Sequence, residues 1–71
     1  MDIELEKKQT LSREEAAQQL RDIADELSSG NEIVMEQDGL QFTVKVPDEV
    51  TMKVEVEIED DEREFEIKLS W

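Results

Sequence analysis

Glu59-Asp60-Asp61-Glu62 is the densest group of potential metal ligands in the chain. Consecutive carboxylates could offer a hard divalent cation the several oxygens it wants. The run lacks the spacing of an EF-hand loop and the glycine that makes that loop's sharp turn. Glu59, Asp60, Asp61 and Glu62 therefore read better as the solvated tip of an acidic hairpin. Carboxylates elsewhere could exchange protons, but that work needs a pocket that shields one of them from water. Here they alternate onto an exposed strand face. The hydroxyls of Thr10, Ser12, Ser28, Ser29, Thr43 and Thr51 have no imidazole to activate them, because the chain has no histidine. The absence of cysteine removes thiolate chemistry, disulfides and zinc cages. Gly30 and Gly39 are used by backbone turns and leave no phosphate loop. No constellation meets the requirements of a reacting site, so the expectation is a protein that is not an enzyme and carries no cofactor.

Charge narrows the partners. The 71 residues hold 21 acidic and 8 basic side chains, a net charge of −13. Nucleic-acid backbones and anionic membranes both repel such a chain. Lys7-Lys8 is the lone basic doublet, and it adjoins an acidic stretch. Met1-Asp2-Ile3-Glu4 is acidic where a targeting peptide would be basic. The longest uninterrupted aliphatic run, Ile33-Val34-Met35, is far shorter than the roughly 20 residues that span a bilayer. The expectation is a single domain over residues 1–71, placed in the cytoplasm by default. Charged residues make up 41% of the chain, a share that can mean disorder. The apolar residues nevertheless fall on regular periods, which a disordered acidic tail has no reason to do.

Those periods define the elements. Ile3 and Leu5 alternate with Glu4 and Glu6, which predicts a short strand over Asp2 to Lys7. Ser12 followed three residues later by Glu15 is a capping box, with Leu11 and Ala16 as a weak hydrophobic staple. The helix is predicted from Arg13 to about Ser28. Ala16, Ala17, Leu20, Ile23, Ala24 and Leu27 form its apolar stripe, and Gly30 ends it. Ile33 and Met35 then begin a strand, and Asp38-Gly39 is a strong hairpin signal. Leu40, Phe42, Val44 and Val46 form the next strand, followed by a turn at Pro47-Asp48-Glu49. Val50, Met52, Val54, Val56 and Ile58 alternate in the longest run. Asp60-Asp61-Glu62-Arg63 turns the chain, and Phe65, Ile67, Leu69 and Trp71 alternate in the last strand.

Turn lengths predict the registers. A two-residue turn at Asp38-Gly39 sets Met35 opposite Phe42, Ile33 opposite Val44 and Glu32 opposite Lys45. A three-residue turn at Pro47 to Glu49 sets Val44 opposite Met52 and Phe42 opposite Val54. A two-residue turn at Asp61-Glu62 sets Ile58 opposite Phe65, Val56 opposite Ile67 and Met52 opposite Trp71. All place apolar on apolar, as a half-buried sheet requires. The expected fold class is α+β: a twisted, mainly antiparallel sheet in the order β-α-β-β-β-β, with one helix packed on its apolar face. The first strand could lie beside the second or the last.

On the outer face Lys68 would oppose Glu55, but Glu57 would oppose Glu66 and Glu59 would oppose Glu64. Like charges directly across a ladder destabilise it. Salt screens them, since the Debye length falls to about 3 Å at 1 M ionic strength. A charge of −13 also exceeds the magnitude of about 2–8 usual for a small domain. Both features point to a salt-rich cytosol, with plain solubility the alternative, since a net charge far from zero is common.

Leu11-Ser12-Arg13-Glu14-Glu15-Ala16-Ala17, Ile23-Ala24-Asp25-Glu26-Leu27, Val46-Pro47-Asp48-Glu49-Val50, Val54-Glu55-Val56-Glu57 and the closing Leu69-Ser70-Trp71 together resemble the amphi-Trp domain. This is a family of small, mostly archaeal and bacterial proteins, many from salt-loving organisms. The resemblance spans nearly the whole chain and lies in the order of these pieces. It implies a fold and a habitat, and brings no catalytic residues.

A helix is about 10 Å wide and strands lie about 4.8 Å apart, so one alanine-rich helix covers two or three strands. Large apolar areas left uncovered mark interaction surfaces. Trp71, Leu69, Met52 and Val54 are the expected interface residues. Trp71 stands where chains fray, so it either caps the monomer core against Met52 or anchors an interface, where tryptophan is enriched. The expected function is a protein-interaction or self-associating module, its partner itself in a homodimer or another protein. A nucleic-acid-associated regulator working at high salt is the alternative, and a divalent-cation-binding protein a weaker one.

Overall fold

The structure, a computed structural model, describes residues 2–71. Among these are one helix, α1 (Arg13–Gly30), and four strands, β1 (Glu32–Gln37), β2 (Leu40–Lys45), β3 (Thr51–Ile58) and β4 (Arg63–Ser70). The fold is α+β with antiparallel strands. They form two separate hairpins, β1–β2 and β3–β4, rather than one sheet.

α1 starts where its caps require. Glu15 N–H donates to Ser12 Oγ at 3.1 Å, and Ser12 N–H donates to Glu15 Oε1 at 3.4 Å, which satisfies two of the amides that a helix start leaves free. At the other end the helix runs through Gly30. Asn31, not Gly30, takes the left-handed conformation, at φ 54°; asparagine tolerates that region. The hydroxyls of Ser28 and Ser29 donate back to the Asp25 carbonyl at 3.2 and 2.6 Å, side-chain bonds to the preceding turn that accompany the end of the helix. Ser12→Ala should cost about 1 kcal/mol of helix stability, read as lost helical ellipticity in a thermal melt.

The β1–β2 hairpin has the predicted register, with Met35 opposite Phe42, Ile33 opposite Val44 and Glu32 opposite Lys45. Its turn residues Asp38 and Gly39 have φ of 54° and 79°, the positive pair that a tight two-residue turn demands. A Cβ at Gly39 would meet no neighbour within 4 Å, so the cost of Gly39→Ala is purely conformational. It should destabilise the hairpin by about 1 kcal/mol, measurable as a lowered denaturant midpoint.

The segment Asp2 to Lys7 is not a strand. A strand needs a free edge to pair with, and on β1 that edge is partly taken: Val34 N–H donates to Glu26 Oε2 at 3.1 Å. The arm is instead tethered to α1 by the Gln19 Nε2 to Gln9 Oε1 hydrogen bond of 3.0 Å. The element order is therefore α-β-β-β-β.

The expected pairing of β2 with β3 is also absent. A three-residue hairpin loop needs its third residue in the left-handed region. Glu49 would have to adopt it, and the positive-φ residues outside glycine are Asn31 and Asp38. The connection between Lys45 and Thr51 stays open, and α1 packs against β1 alone.

The protein is accordingly expanded. Its radius of gyration is 14.0 Å, against about 11 Å for a compact chain of this length. It exposes 6784 Å², where a compact monomer of its mass would expose about 4,600 Å². None of the described residues is buried.

Candidate interaction surface

The β3–β4 hairpin carries the largest apolar surface. Thr51 pairs with Ser70, Met52 with Leu69, Val54 with Ile67, Val56 with Phe65 and Ile58 with Arg63. Alternation therefore puts Met52, Val54, Val56, Ile58, Phe65, Ile67 and Leu69 on one face. No other element among the described residues lies against it. Val56 and Phe65 are each 64% exposed, and Ile58 is 71% exposed. Large exposed apolar patches are uncommon on monomeric proteins, so this face is the candidate surface.

The register differs from the expected one by a shift of two residues. The turn centres on Asp60-Asp61 rather than Asp61-Glu62, closed by Glu59 N–H donating to the Glu62 carbonyl at 2.8 Å. Aspartate suits a tight turn better than glutamate because its short side chain can bond the local backbone. A shift of two preserves which residues face inward, so the apolar face survives while its pairs change. Met52 meets Leu69, not Trp71. Trp71 lies just past β4 and is 57% exposed, so it does not cap a monomer core.

The shift also makes Arg63 the first residue of β4 rather than a turn residue. It sits opposite Ile58 as the one charged side chain on the apolar face. The alternation of Phe65, Ile67 and Leu69, extended back by one step, was the signal that placed it there.

The outer face has like opposite like: Lys53 faces Lys68, Glu55 faces Glu66 and Glu57 faces Glu64. The expected Lys68–Glu55 pair is thus replaced by a repulsive one. Lys53 Nζ instead reaches Glu55 Oε2 on its own strand, at 3.5 Å. The other ion pair among the described residues, Arg13 Nη2 to Glu14 Oε1 at 3.5 Å, is remote from the hairpin.

Glu57, Glu59, Glu62 and Glu64 line an open groove of about 210 Å³ at the hairpin tip. Among the described residues no group of three or more carboxylates is arranged to hold a metal ion. Of the four expected metal candidates, Glu59 and Glu62 line the groove and Asp60 and Asp61 do not. Calcium or magnesium titrated into labelled protein should leave the Asp60 and Asp61 amide shifts in place; a saturable movement would establish a site. A second groove, about 420 Å³, runs along the β1 edge between Lys7, Gln9, Gln19, Ile23 and Val34. No helix among the described residues is long and apolar enough to cross a membrane.

Residues 1–71 match the family model described as the Amphi-Trp domain. No curated protein and no solved structure is similar enough to match the chain.

Proposed function

This chain belongs to the Amphi-Trp domain family, and we propose that it is a non-enzymatic protein-interaction or self-associating module that works in a salt-rich cytosol. The observation that carries this reading is the bare apolar face of the β3–β4 hairpin. The protein exposes about 2,200 Å² more than a compact chain of its mass would. That excess exceeds the roughly 800 Å² per partner of a standard interface. A small chain with so little internal packing gains most from a partner that covers its apolar side chains.

The solvent follows from charge. Two chains of −13 repel at low ionic strength, and salt shortens the reach of that repulsion while leaving apolar contact intact. The same reasoning supports a protein of a salt-rich cytoplasm; an archaeal source is what the family resemblance implies.

Mass measured by light scattering tests this. The wild type should exceed its 8.3 kDa monomer mass at molar KCl and fall toward it at low salt. Val56→Lys, which charges the centre of the face, should associate less than the wild type at molar KCl. A wild-type protein that remains monomeric throughout and fails to bind a hydrophobic dye overturns the reading.

A further inference from the structure

We propose that the free edge of β4 pairs antiparallel with the β4 edge of a second copy, about a two-fold axis at Ile67. This rests on reading the hairpin as a contact surface, and it names the occupant and the register. β4 is bonded to β3 on one side only. The Glu59 to Glu62 backbone bond fixes the alternation of the ladder, so the backbone groups of Phe65, Ile67 and Leu69 point away from β3. An exposed row of this kind is a template for another strand.

The side chains select both the partner and the register. Within the protein Glu66 faces Glu55 and Lys68 faces Lys53, and neither Glu66 nor Lys68 holds an ion pair among the described residues. With Ile67 on the axis, Glu66 stands opposite the partner's Lys68, and symmetry makes that pair twice. Glu64 meets the partner's Ser70. On the apolar face Phe65 meets the partner's Leu69, and Arg63 meets the partner's Trp71. That last pair sets a guanidinium beside an indole, a favourable cation–π arrangement. Centring the axis on Phe65, Glu66 or Lys68 instead would bring like charges together. The β3 edge is the poorer choice. Centred on Val54 it would pair Lys53 with the partner's Glu55, but Lys53 already reaches its own Glu55 at 3.5 Å, and Arg63 would gain nothing. Closed two-fold pairing is the commonest form of self-association. It leaves the apolar faces of two hairpins continuous across four strands.

Charge exchange tests the register. Association is measured by sedimentation equilibrium at one intermediate KCl concentration, for the wild type, Glu66→Lys, Lys68→Glu and the double exchange. Each single change sets opposite charges across the β3–β4 ladder, so the hairpin itself is retained. Each should weaken self-association by on the order of tenfold or more, because an attractive cross-chain pair turns repulsive twice. The double exchange should return to the wild-type value. Net charge alone predicts a different pattern: Glu66→Lys would associate more tightly and Lys68→Glu less. That outcome overturns the proposal.

Ile67→Cys supplies a second readout, since the chain has no other cysteine. Directly opposite residues of a hydrogen-bonded pair lie about 5.5 Å apart at Cα, within the roughly 4.4–6.8 Å range of a disulfide. Mild oxidation should link Ile67→Cys into dimers and leave Val54→Cys largely unlinked. Preferential linking at Val54 overturns the choice of edge. Association that ignores every charge exchange but is lost in Val56→Lys also overturns edge pairing, while the apolar-face reading stands. A monomeric wild type overturns edge pairing, and the contact-surface reading falls with it only where that monomer also fails to bind a hydrophobic dye.

Discussion

Moving the protein from tens of millimolar to molar KCl should raise its melting temperature by on the order of 10 °C. Lys53 and Lys68, Glu55 and Glu66, and Glu57 and Glu64 stand directly opposite one another. Cross-strand neighbours have Cβ atoms about 4.5–5.5 Å apart, and a pair of this kind is worth about 0.2–1 kcal/mol. At 0.1 M the Debye length of about 10 Å spans that gap, and at 1 M the length of about 3 Å does not. Exposure discounts each pair, so relief of all three amounts to about 1–2 kcal/mol. In a domain of this size about 1 kcal/mol moves the midpoint by roughly 4–8 °C. The net charge of −13 adds diffuse repulsion of the same sign. Glu55→Lys should flatten the salt slope, because it turns the Glu55–Glu66 pair attractive. Melts at two protein concentrations separate screening within the chain from association, since only the latter depends on concentration. A midpoint indifferent to KCl in the dilute series removes the salt argument.

The legible parts of the fold were those written in local chemistry. Ser12 and Glu15 fix the helix start, and Asp38-Gly39 fixes a register to the residue, because each device needs specific side chains at a specific spacing. The face of every C-terminal strand was legible too, since alternation has a period of two and survives a shift of two. That same tolerance hid the β3–β4 register: apart from Ile58 opposite Arg63, Asp60-Asp61 keeps apolar on apolar as Asp61-Glu62 would, and turn chemistry favours it although its outer-face charges pair less well. Asp2 to Lys7 misled because alternation records which face would be buried, not whether an edge is free to receive the strand. The missing β2–β3 ladder depended on whether Glu49 would adopt a left-handed backbone, which no hydrophobic pattern encodes. For the candidate surface, parity placed Met52, Val54 and Leu69 on one face, where the ladder has them, while Trp71 lies just past the strand that parity assigned it to. Arg63 was concealed inside an assumed turn, together with its position on the apolar side.

Trp71→Ala should leave the unfolding free energy of the dilute monomer within about 0.5 kcal/mol of the wild type, yet weaken self-association by about 2 kcal/mol or more. The two halves of this expectation come from one observation. A tryptophan packed in a monomer core would cost about 3–5 kcal/mol on truncation, but this ring is 57% exposed and no longer faces Met52. It has little to lose within the chain. At an interface its large rigid surface is desolvated only on contact, which is why tryptophan dominates hot spots. The ring is also the sole tryptophan, so its emission reports its own surroundings: red-shifted in dilute low-salt solution, and shifting blue as concentration or KCl rises. A loss of about 2 kcal/mol is close to thirtyfold in the dissociation constant, well within reach of sedimentation equilibrium. Large destabilisation of the dilute monomer would mean that the ring folds back onto its own chain. An unchanged dissociation constant, with emission that never shifts, would remove Trp71 from the contact surface and leave Val56 and Phe65 as its centre.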